Sequence, residues 1–274
     1  MIEINKTPPK PFLKWAGGKR WLTQGNFNVF PADFNTYIEP FLGGGAVYFH
    51  LQPENAILSD LNNELISTYK AIKENQELVV KHLKKHHSNH SKEYYYKVRS
   101  EKPRSIFTRA ARMLYLNRAC WNGLYRVNLK GEFNVPIGTK TNILFDIDNF
   151  KITSSSLKNA TLLSNDFEET VNLAGPDDFV FVDPPYTVKH NCNGFIKYNE
   201  SLFSWKDQIR LRNAIDRAVT RGAKVLLLNA AHQSIVDLYD GFNQITLSRK
   251  NALSGDSRYR GRYEELAIIC GYNI

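Results

Sequence analysis

The chain has 274 residues, 42% of them hydrophobic and 23% charged, the composition of a soluble globular protein with a sizeable core. Its 36 Lys and Arg against 27 Asp and Glu leave a net charge of +9, which favours a polyanionic partner such as nucleic acid. Cys120, Cys192 and Cys270 cannot all pair and form no C-x-x-C, no N-terminal run has signal-peptide character and none approaches a membrane span. The expectation is one large domain, or one domain carrying an insertion, in a reducing cytoplasm.

In chain order, "FLKWAGGKR" (12–20) invites a phosphate-loop reading through its G-G-K, but the spacing from the first glycine is too short and Arg20 stands where Ser or Thr is required. "NTYIEPFLGGGAVYFHL" (35–51) reads as a short strand, a glycine turn and a helix. Gly43, Gly44 and Gly45 let backbone approach a ligand closely and leave the helix start open, although adjacent glycines alone also suit a tight packing turn. "NAILSD" (55–60) is a second strand ending in Asp60, near the spacing of ~20 residues at which an acid holds ribose hydroxyls. Those two features together suit an adenosine-type ligand. Trp15 is either a core aromatic or a cover for its base.

A helix begins at "LNNELISTYKAIKEN" (61–75), and the chain from 65 to 150 is rich in Lys, His, Arg and Tyr with few buried-strand runs. "SIFTRAARMLYLNRA" (105–119) reads as a helix with Ile106, Ala110, Met113 and Leu114 on one face. "GLYRVNLKGEFNVPIG" (123–138) alternates through Val127 and Leu129, turns at Lys130-Gly131 and alternates again through Phe133 and Val135, a hairpin pattern. The histidines of "HLKKHHSNH" (82–90) place His82 and His86 at i, i+4 spacing, which a metal could use, but with lysines interleaved and no acidic residue among them they read as a solvated helix end.

Beyond 150, "DDFVFVD" (177–183) and "AKVLLLNA" (223–230) are strands buried on both faces. Between them "FSWKDQIRLRNAIDRAVTRG" (203–222) places Ile209, Leu211, Ile215, Ala218 and Val219 at helical spacing and ends at Gly222. A final strand follows in "ELAIICGY". Alternating strand and helix at both ends of the chain predict an α/β doubly wound, mostly parallel sheet, with the middle segment as a helical insertion bearing a hairpin.

The segment "FVFVDPPYTV" (179–188) runs a buried strand into an acid, two prolines and a tyrosine. Two prolines stiffen the backbone and remove two N–H donors, so the turn presents carbonyl acceptors beside one aromatic face. Such a site suits a flat group that offers hydrogens.

"FLKWAGGKR", "YIEPFLGGGAV", "SDLNNELIS", "LNRACWNGLYRVNLKGEFNVPIG" and "DPPY", in this order, resemble the DNA adenine-N6 methyltransferases of the Dam family (D12 class, alpha motif order, GATC-type), over nearly the whole chain. The resemblance implies a Rossmann-like S-adenosylmethionine-dependent catalytic domain of residues 1–64 and 151–274, with an inserted target-recognition domain of residues 65–150. It implies S-adenosylmethionine as methyl donor, held at Trp15, Lys19, Phe41, Gly43, Asp60 and Asp183, with Asp166 near its adenine. No metal is required.

Adenine's exocyclic amine is a poor nucleophile because its lone pair is delocalised. Asp183 and the Pro184 carbonyl can each accept one amine hydrogen, freeing that lone pair, while Tyr186 stacks on a base flipped from the duplex. In the family, the hairpin reads a GATC site. Arg126 is placed for an outer guanine, Leu124 for the neighbouring thymine with Asn122 and Pro136 nearby, and Lys14 for the first guanine. Trp121 stands where the family carries the aromatic that wedges into the duplex.

The basic stretch "SRKNALSGDSRYRGRYEEL" (248–266) reads as a solvated loop or a phosphate-gripping arm, and "NGFIKYNESLF" (193–203) as a loop that orders over cofactor or substrate. Duplex DNA is the implied partner. Single-stranded DNA, a cognate restriction endonuclease encoded nearby, and a restriction-modification, housekeeping or phage role stay open. Two other readings compete: methylation of RNA bases or of a protein glutamine, whose enzymes also use such a motif, and a catalytically silent nucleic-acid-binding module.

Overall fold

The computed structural model describes residues 8–25, 27–128, 130–145, 148–188, 203–250 and 262–274. Its strands are β1 (Tyr37–Glu39), β2 (Ala56–Ser59), β3 (Ala160–Leu163), β4 (Phe179–Val182), β5 (Lys224–Ala230), β6 (Asn243–Lys250) and β7 (Arg262–Cys270). Its helices are α1 (Arg20–Gln24), α2 (Ala46–Leu51), α3 (Asn63–Ser88), α4 (Lys92–Ser100), α5 (Ile106–Ala119), α6 (Phe150–Ser156), α7 (Phe167–Val171), α8 (Trp205–Thr220) and α9 (Gln233–Leu238). The seven strands form one sheet in the order β3-β2-β1-β4-β5-β7-β6, the mostly parallel, mixed α/β architecture that the strand patterns predict. Among the described residues no helix is long and apolar enough to cross a membrane.

By contacts the chain divides into two compact units. One comprises Met1–Thr23, Leu42–Glu54 and Asp60–Ser164, the other Gln24–Phe41, Asn55–Ser59 and Asn165–Ile274.

In the second unit β1 pairs parallel with both β2 and β4, and β4 with β5; β7 then runs antiparallel to β5 and β6. The chain therefore leaves β1 toward β2 and later returns to its other side as β4. A sheet of this kind offers its ligand crevice where the winding reverses, outside the carboxyl ends of those strands. Phe41 and Asp183 follow those two ends. β4 is buried at every position and β5 at its five central ones, as expected of apolar runs covered on both faces.

α8 starts at a reciprocal cap in which the Asp207 N–H donates to Ser204 Oγ (3.3 Å) and the Ser204 N–H to Asp207 Oδ2 (2.9 Å). Its buried face is Gln208, Leu211, Ala214, Ile215 and Ala218. Ile209, expected on that face, is 42% exposed. Gln208 takes the inward place because its amide completes a buried polar chain described below.

In the first unit α3 and α5 pack on each other: Leu65, Ile66 and Ile72 of α3 and Ala110, Met113 and Leu114 of α5 are buried, and Thr68 Oγ1 lies 3.1 Å from Met113 Sδ. α3, which begins where the sequence predicts, continues to Ser88. Asn75 leaves helical geometry (φ −153°, ψ 84°), and its side chain accepts the Leu78 N–H at 3.1 Å, so it restarts the helix that its own backbone breaks. His86 and His90 do not form a solvated end. The His86 ring stacks on Tyr115 (5.0 Å) and its Nδ1 lies 2.9 Å from the Tyr94 hydroxyl, while His90 Nδ1 lies 2.9 Å from the Tyr115 hydroxyl.

The hairpin exists as bridges at Val127–Phe133 and Cys120–Ile137 rather than as two regular strands. Asn128 explains the turn. Its side-chain oxygen accepts the N–H groups of Lys130 (2.9 Å) and Glu132 (3.0 Å), and its carbonyl accepts that of Gly131 (2.9 Å). Leu129 lies outside the described residues.

Candidate active site

Within the first unit, the glycine turn, Asp60 and the N-terminal aromatic stretch meet. Gly43 has φ +47°, a left-handed conformation that favours glycine, and a Cβ there would lie 2.7 Å from Trp15 Cδ1. Only a bare backbone fits under that indole. The Gly43 N–H donates to Asp60 Oδ2 (3.0 Å) and the Asn62 N–H to Asp60 Oδ1 (2.9 Å), so both carboxylate oxygens are aimed by backbone. Burial raises the Asp60 pKa above its ordinary value, and these two N–H donors pull against it. Each oxygen retains further acceptor capacity. Lys19 is buried, and its ammonium donates to the Gly17 carbonyl at 2.7 Å, closing the G-G-K turn on itself.

These features fit an adenosyl cofactor on their own chemistry. A bare glycine turn lets a ligand approach the backbone, an indole offers a flat cover, and a two-oxygen acceptor suits vicinal hydroxyls.

In the second unit, Phe41 stacks on Phe167 (5.5 Å) and meets Phe203 edge-on (5.7 Å), so its ring belongs to an aromatic trio at the end of β1. Asp166 caps α7 by accepting the Glu168 N–H (2.9 Å) and takes an ion pair from Arg210 (2.8 Å). Asp183 follows β4 half-buried, Pro184 is buried and Tyr186 is half-buried. The Tyr186 hydroxyl donates to Glu265 Oε2 on β7 at 2.6 Å; Glu265 is only 1% exposed. One oxygen of a buried carboxylate thus fixes the edge of the ring whose face the motif presents.

The same turn is gripped from behind. Thr187 Oγ1 donates to the Phe203 carbonyl (2.6 Å), Gln208 Nε2 to the Thr187 carbonyl (3.2 Å), and Asn229 Nδ2 to Gln208 Oε1 (3.1 Å). Thr187, Gln208 and Asn229 are fully buried, so this chain stiffens the residues after Tyr186 in a low-dielectric setting. Residues 193–202, expected as an ordering loop, lie outside the described residues, as do Cys192 and residues 251–261 of the basic stretch.

The expected DNA-reading residues fall together within the first unit. Trp121, Asn122, Arg126 and Pro136 are exposed and Leu124 is half-exposed. Arg126 Nε donates to Asn134 Oδ1 across the hairpin (2.8 Å), and the Trp121 N–H donates to the Pro136 carbonyl (2.9 Å). Lys14 is tied to this turn by Asn117, whose side chain accepts the Lys14 N–H (2.9 Å) and donates to the carbonyls of Lys14 (2.9 Å) and Gly123 (3.1 Å). A Cβ on Gly123 (φ +66°) would strike the Lys14 side chain. Partial burial, then the neighbouring Lys140 ammonium, hold the Lys14 pKa down, the mark of two cations placed side by side.

The profile of the D12 class N6 adenine-specific DNA methyltransferases matches residues 15–253. The chain belongs to that family. It is an adenine-specific DNA methyltransferase that depends on S-adenosylmethionine. It is 37% identical to the Type II methyltransferase M1.LlaDCHI of Lactococcus lactis subsp. cremoris, over 98% of each chain. It is also 37% identical to the Type II methyltransferase M.MjaIII of Methanocaldococcus jannaschii, over 94% of this chain and 98% of the relative. The DNA adenine methylase of Haemophilus influenzae shares 31% identity over 97% and 95%.

Reading the methyltransferase from its sequence passed over four positions: Asn117, Tyr125, Gln208 and Glu265. Asn117 in "MLYLNRA" and Glu265 at the head of "ELAIIC" are polar residues in or beside an apolar run, a signal that could have found them, whereas Tyr125 and Gln208 stand in stretches of mixed polarity and carry none. Buried polar side chains are kept where they satisfy specific partners.

Proposed function

We propose that this methyltransferase modifies adenine in duplex GATC sites, with Asp183, Pro184 and Tyr186 as the base-holding group. S-adenosylmethionine supplies an electrophilic methyl when bound, and Trp15, Lys19, Phe41, Gly43, Asp60 and Asp166 are the residues assigned to hold it. The Asp183 carboxylate accepts one N6 hydrogen and the Pro184 carbonyl the other. Holding both hydrogens turns the nitrogen lone pair out of conjugation with the ring. Asp183 does not deprotonate the neutral amine, for which a carboxylate is far too weak a base; the proton leaves once nitrogen is cationic. Tyr186, its hydroxyl fixed by Glu265, offers a ring face to the flipped base, and such stacking is worth ~1–3 kcal/mol. Alignment contributes the larger share, up to ~7–11 kcal/mol.

The observation that carries this reading is the stiff acceptor turn at the end of β4, beside the winding reversal at β1, with Tyr186 locked to a buried glutamate. The exposed Trp121 and Arg126 on the hairpin, next to the Lys14–Lys140 pair, support groove reading by this element. The Type II names of two relatives support a role beside a cognate restriction endonuclease.

The test is a plasmid incubated with enzyme and S-adenosylmethionine, then digested with nucleases that cut GATC but differ in sensitivity to its methyladenine. Protection from the methylation-sensitive nuclease alone is expected. N6-methyladenine mapped to another sequence would overturn the GATC assignment.

A further inference from the structure

The recognition hairpin and the cofactor turn share one side chain, Tyr125. Its neighbours in sequence are Leu124 and Arg126, both assigned to base reading. Its ring stacks on Trp15 with centroids 5.1 Å apart and planes 28° from parallel, and the edge of Trp15 lies over Gly43. The Tyr125 hydroxyl donates to Glu64 Oε2 at 2.9 Å. Glu64 stands in the first turn of α3, just after Asp60 and Asn62, and also meets Arg112 Nη1 at 3.4 Å. Phe133, across the hairpin, packs edge-on against the same ring (5.8 Å). Burial and then the Glu64 charge push the Tyr125 hydroxyl strongly up, so it stays a donor throughout the working pH range.

We propose that Tyr125 is a positioning residue that couples target reading to cofactor binding. This rests on the assignments of Trp15 and the hairpin made above. The hairpin carries isolated bridges rather than a regular ladder and is anchored at its base, where the Val135 carbonyl accepts the Tyr95 hydroxyl (2.9 Å), while Arg126 and Asn134 meet across it at 2.8 Å, so contacts to its exposed side chains restrict what remains free. Restricting it fixes Tyr125, and fixing Tyr125 fixes the indole over Gly43. The ordering cost is then met once for both ligands, and linkage requires each to tighten the other by the same factor. A stacked aromatic pair of this kind sets the coupling at about 3- to 10-fold.

The test is calorimetric titration with S-adenosylhomocysteine, with and without a GATC duplex, and the reciprocal titration with duplex. The ratio of the two affinities is the coupling factor. It reads the link itself, which a general loss of stability would not move. Wild-type protein is expected to show a factor of about 3 to 10, Y125L a factor near one, and Y125F, which keeps the ring and loses only the Glu64 bond, a value between. Y125L within twofold of wild type overturns the inference, as does a wild-type factor of one. Should Y125L not fold, Y125F decides: a factor halved or lower supports the coupling and an unchanged one overturns it. Binding of both ligands without coupling refutes this inference alone, whereas failure of wild type to bind S-adenosylhomocysteine refutes the assignment of the site itself.

Discussion

Replacing Asn117 with leucine removes the clamp that joins Lys14 to the turn at Gly123. Leucine matches asparagine closely in shape, so little cavity forms and the loss is almost wholly polar. The Gly123 carbonyl sits beside a fully buried side chain and loses a 3.1 Å donor, at a cost of about 1–3 kcal/mol. The two 2.9 Å bonds to the Lys14 backbone are only partly buried and count for about 0.5–1.5 kcal/mol each. Added apolar burial returns about 1 kcal/mol, leaving a net destabilisation of about 3 kcal/mol. Urea unfolding followed by circular dichroism measures it, as a lower midpoint with an unchanged slope. Duplex affinity should fall as well, since Lys14 and the 121–124 turn lose their common anchor. An Asn117→Leu protein within about 0.5 kcal/mol of wild type would refute the reasoning, because that is the range of a neutral surface change.

The remaining predictions concern pH. Asp60 has a pKa raised by burial above its ordinary 3.8, so the folded state holds this proton more tightly than the unfolded chain. Its contribution to stability is full below that ordinary value and is lost as pH rises through the raised one; Asp60→Asn should flatten this part of the unfolding profile. Cofactor affinity should run the other way, weakening as pH falls through the raised value, because a protonated carboxyl gives up an acceptor; titrations with S-adenosylhomocysteine across that range check it. His86 is held down to about 4, first by burial and then by its cationic neighbours, so it is neutral when folded. Its contribution is present above its ordinary 6.5 and is lost as pH falls toward 4, and His86→Phe should remove that slope from acid unfolding curves.

How much of this was legible in the sequence follows from the range of the interactions. β4, β5 and α8 were readable because continuous apolar runs, helical spacing and Gly222 are local signals. The direction of α8 was less so: Ile209 and Gln208 are adjacent, and only the distant Asn229 decides that the glutamine turns inward. The start of α3 was visible in its first turns; the role of Asn75, which leaves helical geometry and accepts the Leu78 N–H, was not. Asp60, Gly43 and the acid-proline-tyrosine turn were visible as motifs. Their partners were not, since Glu265 meets Tyr186 and Tyr125 meets Trp15 only through the fold. The histidines looked solvated beside their lysines, and the tyrosines of α4 and α5 that enclose them lie on other helices.

The most direct test of the chemistry is single-turnover methyl transfer by Asp183→Ala under saturating S-adenosylmethionine and GATC duplex, with product scored as N6-methyladenine. Loss of the amine acceptor should slow transfer by at least about 100- to 1,000-fold, with duplex binding still measurable by titration. Transfer at close to the wild-type rate would contradict the assignment of Asp183 to the amino group.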